Sequence, residues 1–392
     1  MTGENKHMKG DRVIWMVVIL LSLLSLLAVY SSTGTLAYKY QEGNTIYYMV
    51  KHMIILALGF GLMYLAHKVK YTYYSRIFQV ALYVAILLLI VTLIFGKDVN
   101  EAKRALQLPF GLTFQAADLA KLTLIIYLAR ELTKKQEVIH EFKSLFIPVM
   151  LPILVVCGLI LPGNLSTAVM LFVTSLVLLF IGRIRILNLM KLVGIAAAAF
   201  LLFIGILMLL PQGSQGRLKT WENRMESFLA GADQEEDDQV VQSKIAVVSG
   251  GIFGKMPGNS TQRNFLSHPY SDFIFAIILE EYGLLGGSFV VLLYMILLFR
   301  AVRIVTKTPR TFGAFLTIGV AFSLVFQALI NMGVAVDLLP VTGQPLPLVS
   351  MGGTSIWFTS LSIGIILSVS KEVGKGTVEN EPKEPEEQYV TA

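Results

Sequence analysis

The chain has 392 residues, of which 55% are hydrophobic and 15% charged, with a net charge of +6. Soluble domains carry about 25% charged residues, so this composition excludes a water-soluble globular protein. The single cysteine, Cys157, lies in an apolar run, which excludes a disulfide framework and a cysteine metal site.

Residues 1–12 are polar and basic, and no small-residue cleavage site follows the first apolar run. That predicts a cytoplasmic N-terminal tail and a retained span, not a signal peptide. Runs long enough to cross a hydrocarbon core of ~30 Å recur along the chain. They predict ten spans, at 13–32, 46–66, 74–95, 113–131, 145–162, 165–183, 187–210, 272–299, 311–336 and 348–370. The expected fold class is all-α: a polytopic membrane protein of about ten transmembrane helices, domain 13–370, with one long extracytoplasmic loop.

The fourth span is the least hydrophobic, because Asp118 and Lys121 lie inside it. Only Pro162, Gly163 and Asn164 link the fifth and sixth, which forces a tight hairpin. The long loop, 211–271, follows the seventh span. In its first part Leu218, Trp221, Met225, Phe228 and Leu229 share one helical face, a pattern suited to the membrane interface. Glu235 to Asp238 reads as a solvated turn. Gln242 to Gly258 is apolar and then glycine-rich, and can dip back toward the membrane where protein or water lines it. The end of the chain, 371–392, is rich in Glu, Pro and Lys and is expected to be a disordered cytoplasmic tail.

Orientation follows from the basic residues of the short loops. With the N-terminus in the cytoplasm, Lys68, Lys70, Arg130, Lys134, Lys143, Arg183, Arg185, Lys191, Arg300 and Arg310 fall on the inner side. The outer short loops hold Lys39, Lys97, Lys103 and Arg104. The positive-inside rule then puts both termini in the cytoplasm and 211–271 outside. The same loop placement explains the net charge without nucleic acid.

Ionisable groups inside spans are costly, and each is a candidate for function. Here they are Asp118, Lys121, Asp272, Glu280 and Glu281. Asp118 and Lys121 are three apart on one helical face and can pair, either as a site or as a buried ion pair that fixes packing. Glu280 and Glu281 point about 100° apart, so both cannot line one cavity equally. His268 has no second His or carboxylate at metal spacing and reads as an interfacial loop residue rather than a metal ligand. Gly250, Gly251, Gly254 and Gly258 do not form a phosphate-binding loop. With Arg104, His268, Gln344 and Ser350, these polar groups collect on the outer side. Read this way alone, the chain is undecided between an enzyme and a transporter.

Three segments decide. The run Gln242-Ser243 through Ser249-Gly250-Gly251-Ile252-Phe253-Gly254 and Gly258-Asn259-Ser260-Thr261-Gln262, then Ser271-Asp272-Phe273-Ile274-Phe275 and Glu280-Glu281-Tyr282-Gly283, is one. Asn331-Met332-Gly333, Pro345-Leu346-Pro347 and Ser350-Met351-Gly352-Gly353-Thr354-Ser355 form the second, and Arg104, Gln115, Asp118 and Lys121 the third. In their order along the chain they resemble the SEDS family (shape, elongation, division and sporulation), and the division-specific FtsW branch within it.

The resemblance implies a ten-span glycosyltransferase of the bacterial inner membrane that polymerises lipid II into peptidoglycan at the division septum. It implies Asp272 as the catalytic residue, with Arg104, Lys121, Asp118, Gln262, His268 and Ser350 on the substrate. It implies as partners a class B penicillin-binding transpeptidase and other divisome membrane proteins. No metal-ligand cluster is visible, although a divalent cation, Mg or Mn, can assist at a pyrophosphate. An elongation-type RodA-like polymerase and a lipid II flippase are the alternatives. This chain also departs from the family pattern: Leu266-Ser267-His268-Pro269-Tyr270-Ser271 puts His268 where a glutamate is usual. Ala116-Ala117-Asp118 replaces Pro-Ser-Glu, and Gly163-Asn164-Leu165-Ser166-Thr167 replaces Pro-Asp-x-Gly-Thr.

Overall fold

The structure, a computed structural model, describes residues 10–99, 102–107, 113–139, 141–209 and 238–379. Each expected span has its helix among these residues. α1 (Arg12–Ser32) follows Asp11, whose carboxylate caps it by accepting from Val13 N at 2.9 Å and also takes Arg300 Nε at 2.7 Å. A short α2 (Gly34–Tyr40) precedes α3 (Thr45–Lys68) and α4 (Tyr71–Phe95).

Next come three short antiparallel strands, β1 (Lys97–Val99), β2 (Ala102–Gln107) and β3 (Thr113–Phe114), in the order β1-β2-β3. They are a small exception to the all-α expectation, and they move the start of the fourth span from 113 to Ala116. α5 (Ala116–Lys134) then leads to α6 (Phe142–Ile160). α6 widens into a π turn over Phe146–Met150; Pro148 within it and Pro152 just beyond it lack the N–H groups of a regular ladder. After the tight turn, α7 (Leu165–Ile181) is capped by Asn164 Oδ1, which accepts from Thr167 N at 3.1 Å. α8 (Ile186–Leu209), α9 (Asp238–Gly250), α10 (Ile274–Lys307), α11 (Thr311–Ala335) and α12 (Thr354–Glu379) complete the described chain.

Eight of these helices are long and apolar enough to cross a membrane. α7 is shorter, and α5 carries Asp118, Lys121, Arg130, Glu131 and Lys134. Large apolar side chains stay exposed on the outside of the bundle, among them Leu65, Leu87, Leu201 and Leu292. This belt suits lipid and would be untenable in water. α12 runs to Glu379, past the expected span end at 370; the rest of the expected tail, and the interfacial helix expected over 217–229, lie outside the described residues.

The glycine-rich segment after α9 does fold back against the bundle. α10 breaks at Gly283 (φ 66, ψ −168), roughly 13 Å along the helix from Ile274 at 1.5 Å per residue. The free N–H groups of Leu284 and Leu285 donate to Gly251 O and Ile252 O at 2.9 and 3.3 Å, and Lys255 N donates to Glu280 O at 3.0 Å. The loop thereby satisfies the backbone groups that the break exposes, the condition for irregular chain inside a bundle. Only glycine allows the approach: a Cβ on Gly254 (φ 82) would stand 2.2 Å from Glu281 O.

Candidate active site

A cavity of about 380 Å³ opens between α4, α5, the α6–α7 turn and the loops before α10 and α12. Its polar lining includes Gln115, Asp118, Asn164, Thr167, His268, Tyr270, Asp272 and Gln344. Asp118 and Ser355 also line a second space of about 40 Å³, deeper in the bundle, with Lys121, Ser323, Gln327 and Thr359.

Asp272 lies in the turn before α10 and is half-buried. Its Oδ1 accepts from Ser271 Oγ at 2.7 Å. The N-cap of α10 is Phe273, so the carboxylate is not used as a helix cap. The backbone around it is pinned from two sides. Asn331 Nδ2 donates to Asp272 O at 2.8 Å and to Gln344 O at 2.7 Å. Ser350 Oγ donates to Ser271 O at 2.6 Å, and Met351 N donates to Tyr270 O at 2.8 Å. Burial, and after it the neighbouring Asp272 carboxylate, raises the Tyr270 phenol above its ordinary 10, so the hydroxyl keeps its proton as a donor in the cavity.

Asp118 and Lys121 form the expected pair, Nζ to Oδ1 at 2.8 Å, both largely buried. Lys121 Nζ also donates to Gln327 Oε1 at 3.1 Å, and Gln327 Nε2 donates to Pro345 O at 2.9 Å. The pair is therefore tied to the same 343–351 loop that braces Asp272. Asp118 Oδ2 is buried without a partner.

Of the expected substrate contacts, Asp118 and His268 line the cavity and Lys121 stands behind Asp118. Arg104 is on β2, beside α5 in sequence. Gln262 and Ser350 stand off the cavity wall. Ser350 is 2% exposed and its hydroxyl is used on Ser271 O and Leu346 N. Gln262 sits in a 3₁₀ turn over Glu280, to which its N–H donates at 3.2 Å. Neither lines the cavity. Glu280 is equally removed: it accepts from Lys255 Nζ at 2.8 Å, Thr261 Oγ1 at 2.8 Å and Thr261 N at 3.1 Å, and holds the glycine-rich loop down. Glu281, on the next face, takes Ser31 Oγ of α1 and Ser260 N.

A family model described as cell cycle protein, of the FtsW, RodA and SpoVE type, matches residues 11–375. The chain belongs to this family. Stage V sporulation protein E of Bacillus subtilis is 30% identical over 375 residues, covering 93% of this chain and 98% of its own. A probable peptidoglycan glycosyltransferase FtsW of Coxiella burnetii is 32% identical over 368 residues, covering 91% and 96%. Among solved structures, a chain of a peptidoglycan synthase complex described as coordinating polymerization and crosslinking superposes with a TM-score of 0.70 at 25% identity, over 93% of this chain and 98% of its own.

In this FtsW–RodA–SpoVE chain, one part of each segment that carries the resemblance reaches the cavity: Gln115 and Asp118 at the start of α5, Ser271 and Asp272 before α10, Met351 and Gly352 before α12. Sequence reasoning passed over Gln327, and gave Asn164, Thr167, Tyr270 and Asn331 no role in the site. The available signal for Gln327 and Asn331 was two amides four apart in an apolar helix, which share a face and need partners when buried.

Among the described residues no group of three His, Cys, Asp or Glu side chains is placed to hold a metal. Magnesium that serves a phosphate substrate needs fewer protein ligands, one or two carboxylates with the rest from phosphate and water. The unpartnered, buried Oδ2 of Asp118 fits that lesser demand.

Proposed function

We propose that this chain is a peptidoglycan glycosyltransferase that polymerises lipid II into glycan strands during septal wall synthesis, with Asp272 as general base. The observation that carries the reading is a carboxylate held by its backbone at the wall of a 380 Å³ cavity, where family-specific segments converge. The names of the relatives supply the chemistry to be tested.

In the reaction the acceptor 4-hydroxyl oxygen forms a bond to the anomeric carbon of the donor, and the bond from that carbon to the pyrophosphate oxygen breaks. Asp272 accepts the hydroxyl proton as the oxygen attacks. The leaving polyprenyl pyrophosphate carries the charge that Lys121 and Arg104 offset, arginine by a forked contact. A bound divalent cation at Asp118 would supply further charge neutralisation there. His268 and Tyr270 line the wall beside Asp272 and orient the sugars. The lipid tails leave through the apolar grooves between helices.

With the N-terminus in the cytoplasm, the cavity faces the outer leaflet of the bacterial inner membrane, where the lipid II headgroup would meet it. A single-span class B penicillin-binding transpeptidase and other divisome membrane proteins are the partners of this reading. The test is polymerisation of purified lipid II by the purified chain, with and without a candidate transpeptidase. Glycan strands that appear with wild type and vanish with Asp272→Asn are expected. Absence of polymer with every candidate partner would sink the enzymatic reading.

A further inference from the structure

The turn between α7 and α8 closes as a Schellman motif. Ile184 N donates to Leu179 O at 3.2 Å and Arg183 N to Phe180 O at 3.0 Å, with Ile184 buried beneath. The left-handed position of this motif ordinarily holds glycine. Here Gly182 sits one place early at φ −67, and Arg183 occupies the left-handed position at φ 66. A side chain there is strained, and such strain is a pointer toward function. No local partner compensates it. Arg183 and Arg185 are exposed, and among the described residues neither makes an ion pair or hydrogen bond through its side chain. No Asp or Glu occurs anywhere in residues 142–209.

The helices that leave this turn flank an apolar groove of about 510 Å³, lined by Leu176, Phe180, Met190, Val193 and Gly194. α8 is otherwise almost uncovered, with 6% of its apolar window buried. A Cβ on Gly194 would meet nothing within 4 Å. The groove begins within a turn of the arginines, so they stand at its closed end. A phosphodiester with an acyl chain matches this combination of unpaired guanidinium groups, two helices without a carboxylate and an apolar trough between them.

We propose that the α7–α8 groove binds an anionic phospholipid, with the phosphate on Arg183 and Arg185 and an acyl chain between the helices. Arginine suits the role because its planar fork matches phosphate oxygens. This site is separate from the Asp272 cavity and does not depend on the glycosyltransferase reading.

The test is native mass spectrometry of the full chain, titrated with phosphatidylglycerol or with phosphatidylcholine of the same acyl chains, alongside thermal unfolding in neutral detergent. Wild type should retain phosphatidylglycerol in preference to phosphatidylcholine. Arg183→Gly is the informative variant, because glycine relieves the left-handed strain while removing the charge. It should unfold at the same or a higher temperature and bind phosphatidylglycerol more weakly. The loss expected is roughly fivefold for each arginine removed, so Arg183→Gly with Arg185→Gln should lose more than either alone. Gly194→Trp, which fills the groove and keeps both arginines, should also lower binding. Equal retention of the two lipids by wild type, or undiminished phosphatidylglycerol binding by the double variant, overturns the proposal.

Discussion

Asn331 donates through Nδ2 to the carbonyl oxygen of Asp272 at 2.8 Å. One turn earlier on α11, Gln327 links Lys121 to the carbonyl of Pro345. A single helix face thus fixes the Asp272 turn relative to the Asp118–Lys121 pair, although the turn, the pair and the α11 face come from three separate parts of the chain. In a reaction that aligns two sugars, such alignment is where rate is won or lost: a misplacement of about 1 Å can cost ~10²-fold.

Asn331→Ala should therefore lower the turnover of lipid II more than its binding. The substitution leaves the buried Gln344 carbonyl and the half-buried Asp272 carbonyl short of a donor, at about 1–3 kcal/mol for the buried one when nothing replaces it. Thermal unfolding in detergent will report that loss. Asn331→Asp keeps the shape but removes both N–H donors, and should be no better. Wild-type turnover from Asn331→Asp would show that the contact to Asp272 does not set the rate.

The spans were legible because a bilayer leaves few alternatives: α3 at Thr45–Lys68 and α11 at Thr311–Ala335 lie close to the expected 46–66 and 311–336. Local geometry was legible too, since three residues of helix bring Lys121 to Asp118. What sequence could not show was who meets whom across the bundle. Glu280 and Glu281 diverge as expected of adjacent helical residues, yet both are buried, because the glycine-rich loop covers one and Ser31 of α1 the other. Only the family resemblance places Ser350 on the substrate, and the structure shows its hydroxyl donating to the backbone of Ser271. β1 to β3 are too short and too charged to show an alternating pattern.

The folded-back loop gives a prediction about stability. Gly254→Ala places a Cβ 2.2 Å from Glu281 O at a left-handed position, a steric and conformational conflict of the kind that produces large destabilisation. Gly158→Ala is the control, since a Cβ there meets nothing within 4 Å. In a helix interior it should be neutral or stabilising by up to about 1 kcal/mol. Unfolding temperatures in detergent should separate the two clearly. Equal behaviour would mean that the loop does not pack into the α10 break.

The Asp118–Lys121 pair can be tested by a double-mutant cycle. Lys121→Ala strands a largely buried carboxylate and the Gln327 oxygen together, and breaking a buried pair costs roughly 3–5 kcal/mol. Removing Asp118 as well should restore part of that stability. Glycan polymerisation should stay lost in the double variant, because the Lys121 ammonium proposed to offset the pyrophosphate charge is gone. Recovery of activity along with stability would reduce the pair to a packing device.

Asp272→Asn should abolish polymerisation while leaving the fold, membrane insertion and lipid II binding intact. The change keeps size and hydrogen-bonding capacity and removes the proton acceptor, and a general base contributes ~10²–10⁴-fold to rate. The local contacts tolerate it: the Ser271 Oγ–H that now donates to Oδ1 can donate to an amide oxygen, and Asn331 binds the unchanged backbone carbonyl. A capping role for Asp272 has no support in the geometry, because Phe273 occupies the N-cap and the carboxylate accepts from no helix N–H. Structural loss therefore cannot stand in for chemical loss, provided that unfolding temperature and lipid II binding match wild type. Glu280→Gln is the contrast, since its carboxylate holds Lys255 and Thr261 away from the cavity; it should lose stability first and activity in proportion. If instead Asp272→Asn polymerises lipid II near the wild-type rate, the base must be sought in the other carboxylate of the cavity wall, Asp118.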